Sequence, residues 1–446
     1  MAYRRNIIII LTHGLRSDAL GDSQTWPLNT PNLDAIGNRS MRVVASSACP
    51  ADPGGMVSLW TGMHARQHGY VDQTDRAFGC DGFPAWLIGG GYYLAGVGNV
   101  GAVEPWLHES VVVEDVNVID PVGCAYMDMI RAKGMDKTIL AQRKTRARNG
   151  PFDPDRLLLE PDDDVDCFIG IQARQMMQDL PTDRPWALIV AFTGPGNDLP
   201  PPTIYDQMVE PSMLEDGFVP TDFTKVNALA ELDYPRVSLQ RLDRQRLARV
   251  RADYLGRVSL MDYVIGRIEE QAKERSDFDR TWMVTGSDRG YLMGEHGLLG
   301  HRSFLSGAIE VPIMVTPPTP VKTEMAEGLV STVDLAATIA EIGGCDVPAA
   351  IAGRSLLAAL RDEPVRTLTG GCCVSEFGRR LMLETERFKV IFDSVTNEVL
   401  GLYDLLNDPD ERTNMTTDAA GRNLLDSLRW RLGDALMPLR ALPVSG

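Results

Sequence analysis

The sequence predicts an α/β fold: a large mixed, mostly parallel sheet flanked by helices, with a smaller C-terminal β-rich subdomain. Three observations predict it. Residues 6–12 form a nearly continuous aliphatic run, as expected of a strand buried on both faces of a parallel sheet. Residues 187–192 and 281–286 have the same character, with helical periodicity between such runs. After about residue 365 the pattern changes to short, closely spaced strands.

The individual elements follow from local signals. Thr30 and Pro31 are typical of a helix start, as N-cap and first-turn residue. Residues 240–272 have the apolar spacing of one long helix. Residues 387–392 and 401–405 are predicted to pair as strands. The chain is therefore divided into an α/β domain, residues 1–365, and a smaller subdomain packed on it, residues 366–446, which ends in a helix.

Composition narrows the functional class. The chain has 446 residues and a net charge of −17, which argues against nucleic acid as a partner because binding it needs a basic surface. No apolar run is long enough for a membrane helix or a secretory signal, so we expect a cytoplasmic protein without membrane contact. Seven cysteines at irregular spacing, without a C-x-x-C, do not indicate a disulfide framework or a structural zinc site.

Residues 285–301 carry the most informative motif, T-G-S-D-R-G-Y-L-M-G-E-H-G-L-L-G-H. It resembles the metal-site motif T-S-D-H-G-x-x-L-G-E/D-H-G-L-x-G-K of the sulfatases. Most of the frame is intact, but Arg289 stands where that family has a metal-binding His or Asn. His301 stands where the family has a substrate-binding Lys.

Other motifs follow in the order of the sulfatase branch of the alkaline phosphatase superfamily. Residues 6–34 resemble its opening N-x-L-L-I … T-P-N-L-D, residues 58–62 its S-L-L-T-G, and residues 402–405 its L-Y-D-L. Cys49, three residues before Asp52, resembles the arylsulfatase and phosphonate monoester hydrolase subgroup. The resemblance covers nearly the whole chain and implies the fold of that family.

The resemblance also shows how far the site has changed. The family holds one divalent cation, usually Ca²⁺ or Mn²⁺, with two adjacent Asp after the first strand and an Asp and an Asn or His after a later strand. Here those positions are His13 and Gly14, then Asp288 and Arg289. The position of the formylglycine nucleophile, which is made from Cys or Ser, is Asp52.

The residues that clamp the substrate differ as well. The resemblance implies a Lys and a His at the positions of Val97 and Asn99, and a His at that of Gly196. We therefore predict a cleft whose candidate catalytic and substrate-binding residues are unlike those of a working sulfatase. The candidate catalytic residues are His13, Asp52, Asp288, Arg289 and His301, and the candidate substrate-binding residues are Arg289, His296, His301 and Asn99.

We expect no metal cofactor in this site. An arginine has no acceptor and keeps its charge, so Arg289 at a ligand position repels a divalent ion. At ~4 Å that repulsion is a few kcal/mol, even at an effective dielectric constant near 20. The hypothesis is that Arg289 takes the place of the metal and pairs with Asp52 and Asp288. The alternative is a divalent cation held by His13, Asp52 and Asp288.

Three functional interpretations remain open. The first is a repurposed, metal-independent enzyme or a site for a small anionic molecule, because the changed positions stay polar. The second is a non-catalytic pseudoenzyme with a structural or assembly role. The third is a working sulfate or phosphonate ester hydrolase with an unusual metal site. By analogy with the resembled subgroup, we also expect a homo-oligomer.

Overall fold

The computed structural model describes residues 5–71, 81–100, 109–112, 124–149, 157–197, 199–214, 243–319, 328–361, 371–417, 421 and 424–425. The predicted domain boundary at residue 365, the first residues of the predicted long helix and most of the predicted final helix lie outside these ranges. Among the described residues, no helix is both long and apolar enough to cross a membrane.

Ten of the described strands precede the C-terminal region. They are β1 (Asn6–His13), β2 (Met41–Ser46), β3 (Tyr93–Gly98), β4 (Glu109–Val112), β5 (Trp186–Pro195), β6 (Thr281–Ser287), β7 (Leu292–Met293), β8 (Leu299–Gly300), β9 (Glu310–Thr316) and β10 (Val330–Ser331). Eight of them form one sheet in the order β10-β2-β9-β6-β1-β5-β3-β4, and β7 pairs with β8. The strand β9 is antiparallel to both neighbours, while the other pairs in the large sheet are parallel.

Helices cover both faces of the sheet. They are α1 (Pro31–Gly37), α2 (Gly54–Thr61), α3 (Ala65–His68), α4 (Phe83–Gly89), α5 (Ala125–Ala132), α6 (Asp136–Asn149), α7 (Val165–Asp179), α8 (Arg244–Lys273), α9 (Ser306–Ile309) and α10 (Asp334–Gly343). Side chains alternate along β1, because successive residues of a strand point to opposite faces. Ile8 and Ile10 pack in the core beneath α7 and α8. Ile7 and Ile9 pack in the core beneath α2, α4 and α10.

The C-terminal strands form a second, antiparallel sheet. They are β11 (Cys373–Phe377), β12 (Arg380–Glu384), β13 (Phe388–Asp393) and β14 (Val399–Asp404), in that order across the sheet. The Glu376 amide donates to the Ala48 carbonyl at 2.9 Å, which links β11 to the residues after β2. The predicted fold class, including the pairing of the strands near residues 390 and 402, is confirmed.

Candidate functional site

The candidate site lies where β1 and β6 end side by side. The two strands are parallel neighbours with Thr12 opposite Ser287, so the residues that follow them emerge at one edge of the sheet. His13 is the last residue of β1, and Asp288 and Arg289 follow β6. The Ser47 hydroxyl donates to the Asp288 carbonyl at 2.6 Å, which fixes this turn against the chain that leads to Asp52. Four predicted site residues therefore meet.

Arg289 is the centre of this cluster. Its guanidinium donates to both oxygens of Asp52, at 2.5 Å from Nη1 and 2.8 Å from Nη2. The same Nη1 donates to Oδ2 of Asp288 at 2.7 Å. This is the forked, charge-assisted arrangement that a guanidinium makes with carboxylates. Arg289 therefore pairs with both Asp52 and Asp288.

His13 joins the same two carboxylates. Its Nδ1 lies 2.7 Å from Asp288 Oδ2 and its Nε2 lies 3.1 Å from Asp52 Oδ1. The ring nitrogens also lie 3.0 and 2.5 Å from the two terminal nitrogens of Arg289. A neutral imidazole offers one acceptor and a protonated one offers none. When His13 is protonated, neither approach to Arg289 is therefore a hydrogen bond, and the carboxylates hold the ring.

The electrostatics favour a protonated His13. Burial and Arg289 lower the pKa of His13, but Asp288 and Asp52 outweigh them and raise it to about 10. Burial raises the pKa of the Asp52 carboxyl, but Arg289 and His13 hold it well below its usual range. The same opposing causes leave the pKa of Asp288 lowered. At neutral pH the cluster then contains two cations and two carboxylates, and its net charge is zero.

Only one side of the cluster reaches solvent. Arg289 is 1% exposed and Asp288 is fully buried, whereas the Asp52 side chain is 18% exposed. His301 lies beside it, with Nε2 at 3.6 Å from Asp52 Oδ2 and a side chain 17% exposed. Burial and the nearby Arg289 lower the pKa of His301 to about 3, so its imidazole is neutral at pH 7. The accessible chemistry is thus a carboxylate beside a neutral imidazole.

Gly14 and Gly196 close the rest of the expected metal cage. Gly14 has a φ of +80°, and a Cβ there would lie 2.8 Å from the Gly196 Cα. The Gly196 amide donates to the His13 carbonyl at 2.8 Å. Two loops that carry side chains in the resembled motifs, an Asp and a His, are here in backbone contact. A side chain at position 14 requires the Gly196 loop to move.

Two predicted substrate-binding residues are not part of this cluster. The His296 side chain lies 2.9 Å from the Asp410 carbonyl and borders a different cavity, at the C-terminal subdomain. Asn99 follows β3, which is separated from β1 by β5. Within the described part of the chain, no hydrogen bond or ion pair joins the Asn99 side chain to Asp52, Arg289 or His301. Both residues lie in motifs that resemble those of the family, but the His296 imidazole contacts Asp410 instead of the cluster.

Cys49 is a buried thiol near the site. Its thiol is buried and lies close to the N-terminus of α2, where a Cβ on Gly54 would be 2.6 Å from Sγ. Burial raises the pKa of Cys49 to about 12, so the reactive thiolate is scarce at neutral pH.

Sequence reasoning missed the residues that support the cluster from behind. The Ser287 hydroxyl accepts the Leu15 amide at 3.0 Å, and the Tyr254 hydroxyl donates to the Gly14 carbonyl at 2.8 Å. Ser287 adjoins Asp288 in the motif and could have been named. Ser47 and Tyr254 carry no such signal, because only the fold brings them there.

The donor set also meets the simplest requirement for a metal. One ligand atom from each of His13, Asp52 and Asp288 lies within 4.8 Å of the others. An imidazole and two carboxylates would suit a divalent transition metal. Arg289, however, contacts both carboxylates, so a cation among these atoms would have to displace it. With Arg289 in this place, the three donors do not fit a metal ion.

The fold and this edge of the sheet define the class of the protein. The sequence model of the Sulfatase family matches residues 5–345, and that of the N-sulphoglucosamine sulphohydrolase C-terminal region matches residues 294–437. The chain belongs to the sulfatase family.

Individual relatives are distant but match along most of the chain. An N-acetylglucosamine-6-O-sulfatase of Bacteroides thetaiotaomicron is 23% identical over 92% of this chain and 82% of its own length. A choline-sulfatase of Rhizobium meliloti is 24% identical over 93% and 83%. Among solved structures, a phosphonate monoester hydrolase from Silicibacter pomeroyi has a TM-score of 0.80 at 19% identity, covering 97% of this chain and 95% of that one. That likeness shows the fold.

Proposed function

We propose that this chain is a metal-independent member of the sulfatase family that does not hydrolyse sulfate esters by the metal and formylglycine route. One observation carries the proposal. Arg289 occupies both oxygens of Asp52 and one oxygen of Asp288, so the carboxylates expected to bind a metal are already paired with a fixed cation. Asp52 also stands at the nucleophile position, where formylglycine formation needs a Cys or Ser.

Of the three interpretations of the sequence, these contacts favour the non-catalytic one. The polar residues in the cleft suggested retained chemistry, but His13, Asp52, Asp288 and Arg289 now have one another as partners. An anion-binding site needs a cation that can face the ligand. Arg289 and His13 are directed to carboxylates and are at most 5% exposed. The pattern of polar residues is thus explained by mutual charge compensation.

A metal-dependent ester hydrolase is the second candidate, because three possible ligand atoms lie within 4.8 Å of one another. Metal analysis separates the two. Purified protein, before and after incubation with Ca²⁺, Mn²⁺ or Zn²⁺ and gel filtration, is measured by mass spectrometry of the metals. We expect less than about one tenth of an equivalent of metal per chain, and a stoichiometric ion would contradict the proposal.

Activity is tested on the same samples. Turnover of an aryl sulfate and an aryl phosphonate monoester is measured with and without each metal. We expect rates equal to those of an Asp52→Asn variant, and metal-stimulated turnover that this variant lacks would establish the second candidate. A thermal shift with sulfate or phenylphosphonate that His301→Gln abolishes would instead support the anion-binding interpretation. Self-association and a cytoplasmic location stay predictions.

A further inference from the structure

A second group of charged and polar side chains lies between the C-terminal sheet and the α/β domain. It is the interdomain charge cluster, defined as Lys389, Glu384, Glu411, Glu310 and Ser306. Lys389 on β13 is fully buried. Its Nζ lies 2.6 Å from Glu411 Oε1 and 3.1 Å from Ser306 Oγ. Lys389 thus bridges its own subdomain and α9 of the other domain.

Glu411 completes this bridge. Its second oxygen accepts the Ser306 amide at 2.7 Å, so one carboxylate binds both the buried lysine and the first residue of α9. Burial lowers the pKa of Lys389, but Glu411 and Glu384 outweigh it and leave it raised. Lys389 and Glu411 therefore form a closed ion pair, with opposite charges in hydrogen-bond contact.

Glu384 is a second carboxylate near Lys389, which is already paired with Glu411. It lies opposite Lys389 in the β12–β13 register, with Oε2 at 3.6 Å from Nζ, and it is 8% exposed. That oxygen has no hydrogen-bond partner among the residues the structure describes. One lysine thus faces two buried carboxylates, and Glu310 at the start of β9 adds a third negative charge nearby.

A buried site with more carboxylates than cations favours the neutral form of one of them. Cys373 is a further titratable group that faces Glu384, as its partner across β11 and β12. Burial raises the pKa of the Cys373 thiol well above its usual range, so it adds no charge at neutral pH. Glu384 is therefore the carboxylate that is most easily protonated, because it lies farther from Lys389 Nζ than Glu411 does.

We propose that the C-terminal subdomain docks on the α/β domain through a proton-dependent contact, in which Glu384 takes up a proton as Lys389 and Glu411 are buried against α9. Burial, opposed by Lys389 and reinforced by Glu310 and Glu411, raises the pKa of Glu384 from 4.5 to about 7. The contribution to stability is complete below about pH 4.5, falls as the pH rises, and is lost above about pH 7.

The contact borders a cavity. Ser306, Glu310 and Glu411 line a space of about 330 Å³ between the two domains, together with Arg16 and the loop of residues 409–412. Loosening of the interdomain charge cluster at alkaline pH would therefore open this space. If the space opens, the backbone amides of α9 and β13 should exchange faster with solvent.

The test uses the full chain and the Glu384→Gln variant, which keeps the shape of the side chain and removes its titration. Unfolding constants are measured in urea from pH 4.5 to 8.5, with hydrogen exchange of α9 and β13 at both ends. Between about pH 4.5 and 7, the unfolding constant of the wild type should rise by up to about tenfold per pH unit relative to that of the variant. Equal pH slopes for the two proteins would overturn the proposal.

Two further variants serve as a control and as an independent test. Glu386→Gln removes an exposed carboxylate from the same subdomain and should keep the wild-type slope. Glu310→Gln removes one of the repelling charges, so the midpoint of the transition should move to lower pH. An unchanged midpoint in Glu310→Gln would overturn the proposal even if Glu384→Gln failed to fold.

Discussion

Two buried arginines in this protein each bind two aspartates, but in different surroundings. Arg257 on α8 pairs with Asp164, at 2.5 Å, and with Asp166. Arg289 pairs with Asp52 and Asp288 at the edge of the sheet. The Arg257 group joins α7, α8 and β5, because Asp166 also accepts the Thr193 amide at 2.9 Å.

The two groups balance charge by different means. In the Arg257 group, Asp164 accepts the amides of Asp166 and Cys167 in the first turn of α7, so helix N–H groups compensate the excess negative charge. In the Arg289 group, a second cation, His13, does so. The Arg257 group is at most 2% exposed, whereas Asp52 is 18% exposed. Arg289 thus has the contacts of a framework residue at a place that opens to solvent.

The largest expected effect comes from removing either arginine. Arg257→Ala leaves two buried carboxylates without a cation, and Arg289→Ala leaves Asp52 and Asp288 with His13 alone. Each substitution should cost about 3–5 kcal/mol of unfolding free energy. Urea denaturation at pH 7 measures both. The loss for Arg289→Ala should lie at the lower end, because Asp52 is partly exposed.

Added Zn²⁺ should distinguish the Arg289→Ala variant from the Arg257→Ala variant. Without Arg289, the His13, Asp52 and Asp288 ligand atoms can hold a cation, so Zn²⁺ at ~100 times its dissociation constant should restore ~2.7 kcal/mol to Arg289→Ala. Arg257→Ala offers no imidazole and should not respond. If Zn²⁺ stabilised the wild type as much as Arg289→Ala, Arg289 would not be what blocks the metal.

The effect of the second cation should appear at alkaline pH. The pKa of His13 is raised to about 10, so its stabilising charge is complete below pH 6.5 and is lost as the pH rises through 10. His13→Gln should remove this pH dependence, which in that window changes the unfolding constant by up to about tenfold per pH unit. Unfolding free energies from pH 6 to 10 give the two curves. Parallel curves would show that His13 is neutral in the folded protein.

The smallest effect tests the closed loop beside Arg289. Gly14→Ala adds a methyl group 2.8 Å from the Gly196 Cα in a left-handed backbone conformation. We expect a loss of about 2–3 kcal/mol, from backbone strain of ~1–2 kcal/mol and steric overlap. Gly344→Ala is the matched control, because its φ is +60° but no atom lies within 4 Å. Equal losses in the two variants would mean that contact with Gly196 contributes nothing.

Much of this architecture was predictable from the sequence. The aliphatic runs at residues 6–12, 187–192 and 281–286 fall within β1, β5 and β6, because burial on both faces demands apolar residues throughout. The meeting of His13 with Asp288 followed from the parallel arrangement of β1 and β6. The antiparallel direction of β9 could not be predicted, because the apolar pattern of a buried strand is the same in either direction.

The sequence could not predict which residues of a motif point their side chains into the site. His296 belongs to the same motif as Arg289, but the chain turns there with a φ of +52° and the imidazole lies beside Asp410. Lys389 and Glu384 looked like ordinary polar residues of strands, and only the packing of two domains makes them buried. Motifs identify which residues share a loop, whereas long-range packing decides which of them share a site.

The contact between Gly14 and Gly196 limits which substitutions this cleft can accept singly. A mutation that restored the family's Asp at position 14 would first place its side chain against the Gly196 backbone, while Arg289 still held the neighbouring carboxylates. Each single reversion is therefore penalised until the other positions have changed as well. The contact between the two loops therefore makes the family's metal cage difficult to build into this chain one substitution at a time.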